Sequence, residues 1–352
     1  MKYLVGWNET PLEPDIDINF STSVSVIIAA FNEERNVEKC VRSILSCDYP
    51  HELLEVIVVN NNSTDNTLEI LRTIKDPRLK ITTQVEGNKK ESIEQGISIS
   101  KNKFLLFTDS DCIVKKDWIK SMIYFHQVQN VDCVLGPLEI DKYNNLLTRF
   151  QAFDMLAMMG ITSGGLKKEI NYLSNGANFG YTQNIYHKLK EIPRKEYASG
   201  DDVMTLHAFV KLGKSKIVFQ KHSGAIVSTL AQQTWRELVQ QRIRWASKAK
   251  SYVRKEDVYI NVFIFIFCLS IVFNFLMTPF TGGLSFFIGM FQLFIKGVID
   301  YAFLTQINTF FKKKHLLRFF LTSFLVHLVY ILFTGMTSIL GLKYDWKGKR
   351  LK

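Results

Sequence analysis

The stretch "VSVIIAAFNEE", Val24 to Glu34, decides the fold. Its first six residues run mostly apolar and β-branched, with Ser25 the one small polar residue, as expected of a strand covered on both faces. Asn32 ends the run, and Glu33 and Glu34 open a helical pattern that closes near "SCDYP". The same alternation then repeats along the chain. "EVIVV" (55–59) reads as a second buried strand, and "NNNSTDNT" (60–67) breaks it and caps the helix "LEILRTI". "LKITT" (79–83) is a third strand, "KKESIEQGISIS" (89–100) a third helix and "KFLLFT" (103–108) a fourth strand. Strand and helix in alternation with short loops predict an α/β domain, a parallel sheet with right-handed crossovers. Ligands of such sheets gather beyond the carboxyl ends of the strands. "FNEE", "NNNSTD" and the "DSD" of Asp109 to Asp111 all follow strand ends, so all three are expected along one rim.

The composition divides the chain. Of its 352 residues 47% are hydrophobic, and its 27 phenylalanines crowd the last third, so a soluble part followed by a membrane part is expected. The net charge of +11 is compatible with nucleic acid, anionic lipid or a phosphate-bearing ligand. No zinc-finger, homeodomain or RNA-binding signature accompanies it, which argues against nucleic acid. The basic excess lies in "RELVQQRIRWASKAKSYVRK" (236–255), "KKKHLLR" (312–318) and "KGKR" (347–350), each flanking apolar sequence, a placement that favours an anionic membrane surface. The five cysteines show no paired or metal-binding spacing and are read as reduced, in a cytosolic catalytic part. The N-terminal 22 residues have no apolar core long enough for a signal peptide and are expected to form a surface arm, with a short membrane-touching lead as the alternative.

Three apolar stretches, Val258–Phe280, Leu284–Ile307 and Leu317–Leu342, each exceed the ~20 residues a helix needs to span a bilayer. The second carries Lys296 and Asp300 at i,i+4 spacing, an arrangement that neutralises itself. Positive-inside reasoning puts the catalytic part and "FKKKHLLR" in the cytoplasm, yet three crossings would place the basic tail outside, against the same rule. Either one segment does not cross or the tail breaks the bias.

Asp109 and Asp111 raise the chemical question. Two carboxylates held close together each make the other harder to ionise, and burial adds to the cost. A divalent cation removes the conflict, because Mg2+ or Mn2+ prefers carboxylate oxygen and keeps open positions for substrate phosphates. A bare D-x-D also fits a capped turn with one solvated carboxylate.

The ordered set "SVIIAAFNEERNV", "EVIVVNNNSTDNT", "NKKESIEQGI" and "FTDSDC" resembles the nucleotide-binding half of family 2 glycosyltransferases. "NGANFGY" around Asn178, "SGDD" and the Q-x-x-R-W of "QQRIRW" extend the resemblance to Trp245. It implies a GT-A fold and a Mg2+ or Mn2+ ion on Asp109 and Asp111. It places Ala30, Phe31, Asn32 and Glu33 against the nucleotide. Asn60 and Asn61 stand where the family has aspartates that contact the uracil or ribose, and Lys89 matches a lysine near the base or phosphates. Asp65 matches a family position too, although it also fits a helix cap. Asp202 corresponds to the general base, with Asp201 orienting the site; a helix N-cap explains the same pair. Gln241 and Arg244 would face the diphosphate, while Asn178 and Trp245 would border the acceptor. In the helix that carries them, Trp235, Leu238, Val239 and Trp245 form an apolar side, and Arg236, Arg242, Lys248 and Lys250 supply positive charge, as on an amphipathic helix at a membrane face.

The expected organisation is an N-terminal arm (1–22), a catalytic domain (23–230), an interfacial helix (231–256), a membrane region (257–342) and a basic tail (343–352). The resemblance implies a membrane-bound inverting glycosyltransferase of cell-envelope glycan synthesis. Its donor would be a nucleotide diphosphate sugar, uridine-linked, and its acceptor a lipid or lipid-linked glycan. A processive polysaccharide synthase shares Q-x-x-R-W, and a non-catalytic membrane scaffold is the alternative of another class. A dinucleotide-dependent oxidoreductase is a poorer reading still, since no G-x-G-x-x-G follows the first strand.

Overall fold

The computed structural model describes residues 1–13, 16, 18–85, 87–170, 172–190, 202–213, 216–247, 255–340, 344–346 and 349–351. They form two compact units. One, helical, comprises 1–7, 140–171 and 231–352; the other, built on a sheet, comprises 8–139 and 172–230. Residues 140–171 were expected inside the catalytic domain and belong to the helical unit.

The first helix, α1 (Lys2–Glu9), is part of the helical unit over most of its length. The sheet unit begins with β1 (Val24–Ala30), α2 (Val37–Leu45), β2 (Leu54–Asn61), α3 (Thr67–Thr73), β3 (Leu79–Gln84), α4 (Lys89–Ile99) and β4 (Phe104–Phe107). It continues with α5 (Trp118–Gln129), β5 (Cys133–Leu135) and β6 (Leu138–Ile140). After α6 (Leu146–Lys167) of the helical unit come β7 (Phe179–Thr182), α7 (Gln183–Lys190), α8 (Asp202–Lys211), β8 (Ile217–Phe219) and β9 (Val227–Thr229). The strand order is β3-β2-β1-β4-β7-β5-β8, with β6 and β9 forming a separate pair. β3, β2, β1 and β4 are mutually parallel, and β7 runs antiparallel to both β4 and β5. The largely apolar runs of β1, β2 and β4 are buried on both faces, with Val26, Ile28, Val56, Ile57, Val58, Phe104 and Leu105 wholly inaccessible, whereas edge strand β3 is only half-buried. The register sets Ala30 beside Asn60 and Ile27 beside Phe107, so the loops after β1, β2 and β4 leave the sheet at the same end.

Glu55 is the charged residue inside β2. It sits at the opposite end, where it accepts hydrogen bonds from Ser25 Oγ at 2.7 Å and Lys101 N at 3.1 Å and pairs with Lys80. All five cysteines are free and buried.

The helical unit continues with α9 (Trp235–Ser247), α10 (Lys255–Met277), α11 (Leu284–Phe310), α12 (Phe320–Leu340) and a hairpin of β10 (Tyr344–Trp346) and β11 (Lys349–Leu351). α6 packs on α11 and α12, and this explains its place in the unit: apolar and small residues line it almost all round, more than a sheet-covering helix needs. The N-terminus is a docked helix rather than a surface arm. Gly6 and Gly164 let α1 and α6 touch backbone to backbone, and Trp7, 2% exposed, stands edge-on to Phe310 with ring centroids 5.5 Å apart. Three helices, Val258–Phe280, Leu284–Phe310 and Lys314–Thr337, are long and apolar enough to cross a membrane.

Candidate active site

The rim of the sheet unit is assembled from short polar loops that hold one another. After β1, Asn32 takes a left-handed conformation (φ 52°), one that Asn tolerates better than bulkier residues. This turns its side chain toward the loop after β2, where Oδ1 accepts from Thr64 N at 2.9 Å, while Asn32 N donates to Ser63 Oγ at 3.0 Å. Glu33 N donates to Thr67 Oγ1 at 2.7 Å and Glu34 N to Asp65 Oδ2 at 3.1 Å; in return the Glu34 carboxylate accepts from Asn66 N and Nδ2, both at 3.1 Å. Asp65 also accepts from Thr67 N at 3.0 Å, at the start of α3. It is therefore a fastener of the two loops as well as a cap. Sequence reading missed this network, although the run of Asn, Ser, Thr and Asp after a strand is its signal.

Ala30 is buried at the end of β1, with Phe31 half-buried beside it. Asn60, at the end of β2, is 2% exposed and its Oδ1 has no hydrogen-bond partner; Asn61 follows, half-buried. A buried amide oxygen without a donor costs on the order of 1–3 kcal/mol, so a group that donates to it would be held with some force.

Asp109 and Asp111 follow β4. The Lys89 ammonium, at the first turn of α4, forms an ion pair with Asp109. The Asn88–Glu91 capping box fixes that turn: Asn88 Oδ1 accepts from Glu91 N at 3.2 Å, and Asn88 N donates to Glu91 Oε2 at 3.1 Å. Lys89 is thus both the helix-start lysine and a member of the rim. Burial, then the negative charge of Asp109 and of Glu33, pushes the Asp111 carboxyl up to about 6, against the pull of Lys89. Glu33, in the first loop, is thus near enough for its charge to act on Asp111. Among the described residues no three His, Cys, Asp or Glu side chains form a metal site by themselves. The Asp109–Asp111 pair does fit a shared divalent ion whose remaining ligands come from a bound phosphate, since two neighbouring carboxylates concentrate negative charge that a cation relieves.

Asp202 is the first residue of α8, half-buried; Asp201 lies outside the described residues, as do Lys248 and Lys250. The "NGANFGY" segment reaches Asp202 through Gly176, where a Cβ would stand 3.7 Å from the aspartate's Cβ. Asn178 corrects an expectation. It is wholly buried, its Oδ1 accepts from Trp118 Nε1 at 3.0 Å, and its Nδ2 donates to Pro137 O at 2.7 Å and Ala225 O at 2.8 Å. With its amide engaged on both sides it braces the core and does not face an acceptor. Gly136 leaves room for it, because a Cβ there would overlap the amide.

Gln241, Arg244 and Trp245 lie half-buried on α9, in the other unit. Arg242, expected on the charged face of that helix, is instead buried at 3% exposure. Its guanidinium forms an ion pair with Asp154 of α6 at 2.6 Å and stacks over the Trp245 ring at 4.1 Å. A buried carboxylate on a neighbouring helix explains the difference: a charge pattern on one helix does not reveal such a partner.

Residues 25–191 match the model described as Glycosyl transferase family 2. Glycosyltransferase AglE of Haloferax volcanii is 28% identical over 181 residues, which are 51% of this chain and 58% of AglE, so the match spans little more than half of that relative. Probable glycosyltransferase YdaM of Bacillus subtilis is 27% identical over 326 residues, 90% of this chain and 73% of YdaM. Among solved structures, the mannosyltransferase PcManGT from Pyrobaculum calidifontis, in complex with GDP-Man and Mn2+, superposes with a TM-score of 0.57 at 16% identity, covering 96% of this chain and 94% of that one. This is a likeness of fold, and it agrees with the mainly parallel GT-A sheet described above. With the ordered rim motifs and the matched model together, residues 25–191 form a family 2 glycosyltransferase domain.

Proposed function

We propose that this chain is an inverting, membrane-bound enzyme that transfers a sugar from a nucleoside diphosphate donor to a lipid or lipid-linked glycan. The observation that carries this reading is the paired Asp109 and Asp111 at the carboxyl rim, with Asp111 pushed up to about 6 by burial and like charge. Asp109 and Asp111 would hold Mg2+ or Mn2+, which when bound neutralises charge on the leaving diphosphate. Lys89 adds positive charge at the same place. The loop of residues 30–33 borders the nucleotide, and the unpartnered Asn60 Oδ1 accepts from an N–H of its base, with Asn61 beside it. A uracil imide supplies such an N–H, as guanine and the amino bases do; the uridine-linked donor proposed here rests on the resemblance of the rim motifs.

Asp202 acts as general base, with Asp201 orienting it. The acceptor hydroxyl loses its proton to the Asp202 carboxylate as its oxygen bonds to the anomeric carbon. The bond from that carbon to the β-phosphate oxygen breaks on the opposite face, and the nucleoside diphosphate departs with the electron pair. Gln241 and Arg244 are assigned to the diphosphate and Trp245 to the acceptor. The apolar helices and flanking basic runs support a membrane location with the catalytic unit on the cytoplasmic side.

The test is transfer from a panel of nucleotide sugars to membrane lipid extract, with and without Mn2+. Asp202→Asn and Asp111→Ala are each expected to lower turnover by on the order of 10²–10⁴-fold in folded protein. Full activity in either variant overturns the role given to that residue. Products one sugar longer than the acceptor separate single transfer from a processive synthase, and metal-dependent donor turnover excludes a scaffold.

A further inference from the structure

The helical unit resolves the topological conflict in the sequence. α10 and α11 form an antiparallel pair joined by a tight turn with Gly282 and Gly283 in positive-φ conformations (57° and 89°). Asn274 Nδ2 donates to Gln292 Oε1 at 3.0 Å, Gln292 Nε2 donates to Ser270 Oγ at 3.1 Å, and Phe275 meets Phe286 with ring centroids 5.9 Å apart. A Cβ on Gly289 would sit 3.3 Å from Asn274 Cβ. These contacts fix the register, and extending it nine residues puts Phe265 of α10 level with residues 298–301 of α11.

α12 touches both helices. Near its start, Phe320 stands edge-on to Tyr301 at 5.1 Å, and Phe324 lies under the Lys296 ammonium (5.1 Å from Nζ to ring centroid) and against Gly297. Near its end, Gly335 lies against the Phe265 ring with no room for a Cβ. Phe324 and Gly335 are eleven residues apart, about 16 Å of helix. Yet both stand at nearly the same level of the α10–α11 hairpin. A third crossing helix would have carried Gly335 down to the level of residue 286 or so. α12 therefore runs across the hairpin rather than along it.

Three further observations agree. β10, beyond α12, packs on α9, which precedes α10, so the two ends of the apolar region are neighbours. An odd number of crossings would part them by the thickness of the bilayer. The middle of α12 also rests on charged helices: Tyr330 stands edge-on to Phe150 of α6 at 5.4 Å and lies 5.8 Å from the Arg242 guanidinium. Such company is costly at the centre of a bilayer. Finally, Leu321, Leu325, Val329, Phe333, Met336 and Leu340 form one exposed apolar stripe at spacings of three and four, while Ser323, Phe324 and Thr337 are turned inward and buried.

We propose that the chain crosses the bilayer twice, as the α10–α11 hairpin, and that α12 lies in the plane of the membrane with this stripe against the acyl chains, returning the C-terminal hairpin to the side of α9. The basic runs in α9, at residues 312–318 and in the tail then all face one leaflet, as the positive-inside bias requires. The inference rests on the membrane reading of these helices.

Full-length Thr281→Cys, Lys314→Cys and Lys349→Cys proteins, exposed to a membrane-impermeant maleimide in intact and permeabilised cells, test the crossings; the native cysteines are buried. Thr281→Cys is expected to label in intact cells, and the other two only after permeabilisation. Nitroxides on Leu321→Cys and Leu340→Cys in bilayers are expected at equal depth, whereas a spanning helix would separate them by about 28 Å. Tail labelling in intact cells, unequal depths or an unreactive Thr281→Cys in membrane-bound protein overturns the proposal. Recovery of the chain in the soluble fraction would instead sink the membrane reading on which it stands.

Discussion

Asp111 is where one residue's environment has a measurable consequence. Its carboxyl is pushed up to about 6, above its ordinary value, by burial and by Asp109 and Glu33. A raised pKa means that the folded chain binds a proton the unfolded chain releases. The associated stability is complete below the ordinary carboxylate pKa and is lost as pH rises through 6. Without divalent metal, the melting temperature of wild-type protein relative to Asp111→Asn is therefore expected to fall between pH 4 and pH 7. A difference flat with pH would show that the like charges do not act on Asp111. Asn178 gives a second test at this scale. Its replacement by alanine strands the Trp118 N–H and two backbone carbonyls in the core, at a cost of about 2–5 kcal/mol in chemical denaturation. A stable Asn178→Ala protein with only a raised acceptor KM would return the residue to the acceptor site.

At the scale of elements, α9 and α6 are joined by Arg242 and Asp154. Burial pushes the Asp154 carboxyl up, against the pull of Arg242, so the charged pair is held at some cost. Removing one partner leaves a buried charge alone: Asp154→Ala is expected to destabilise by roughly 3–5 kcal/mol. Replacing both, as Asp154→Leu with Arg242→Met, fills the space with apolar atoms and is expected to restore the melting temperature to near that of wild type. Because the Arg242 guanidinium also supports the Trp245 ring, the double variant separates stability from site geometry. On the acceptor role proposed for Trp245, it should melt like wild type but show a raised acceptor KM, with donor affinity unchanged. Wild-type acceptor kinetics in the double variant would mean that Trp245 does not need this support.

For the whole molecule, the division into units follows packing rather than chain order. The helical unit takes its first helix from the N-terminus and another from the middle of the chain. α1 is held by the Gly6–Gly164 contact and by Trp7 against Phe310. Gly164→Leu puts a side chain where the backbone of Tyr3 now lies, and is expected to release α1. Rapid proteolysis within the first 13 residues and a red shift of tryptophan emission would report it. An unchanged digestion pattern would show that the docking does not depend on that close approach.

Strands buried on both faces leave unbroken β-branched runs, and polar loops at strand ends leave Asn, Asp and acidic clusters. The parallel half of the sheet, its rim and the Asp109–Asp111 pair were therefore legible in the sequence, as were the lengths of the apolar helices. These are local properties, readable within a dozen residues. Asn178, Arg242 and α12 were not legible, because the same residue types suit either of two environments. A buried amide reads like an exposed one, a buried arginine like a surface charge, and an apolar helix in the membrane plane like one that crosses it. Partners distant along the chain settle the first two cases, Trp118 for Asn178 and Asp154 for Arg242, and the contacts of Gly335 with Phe265 and of Phe324 with Gly297 carry the proposal for α12. Such pairings form only when the chain packs, so the tertiary structure alone decided them.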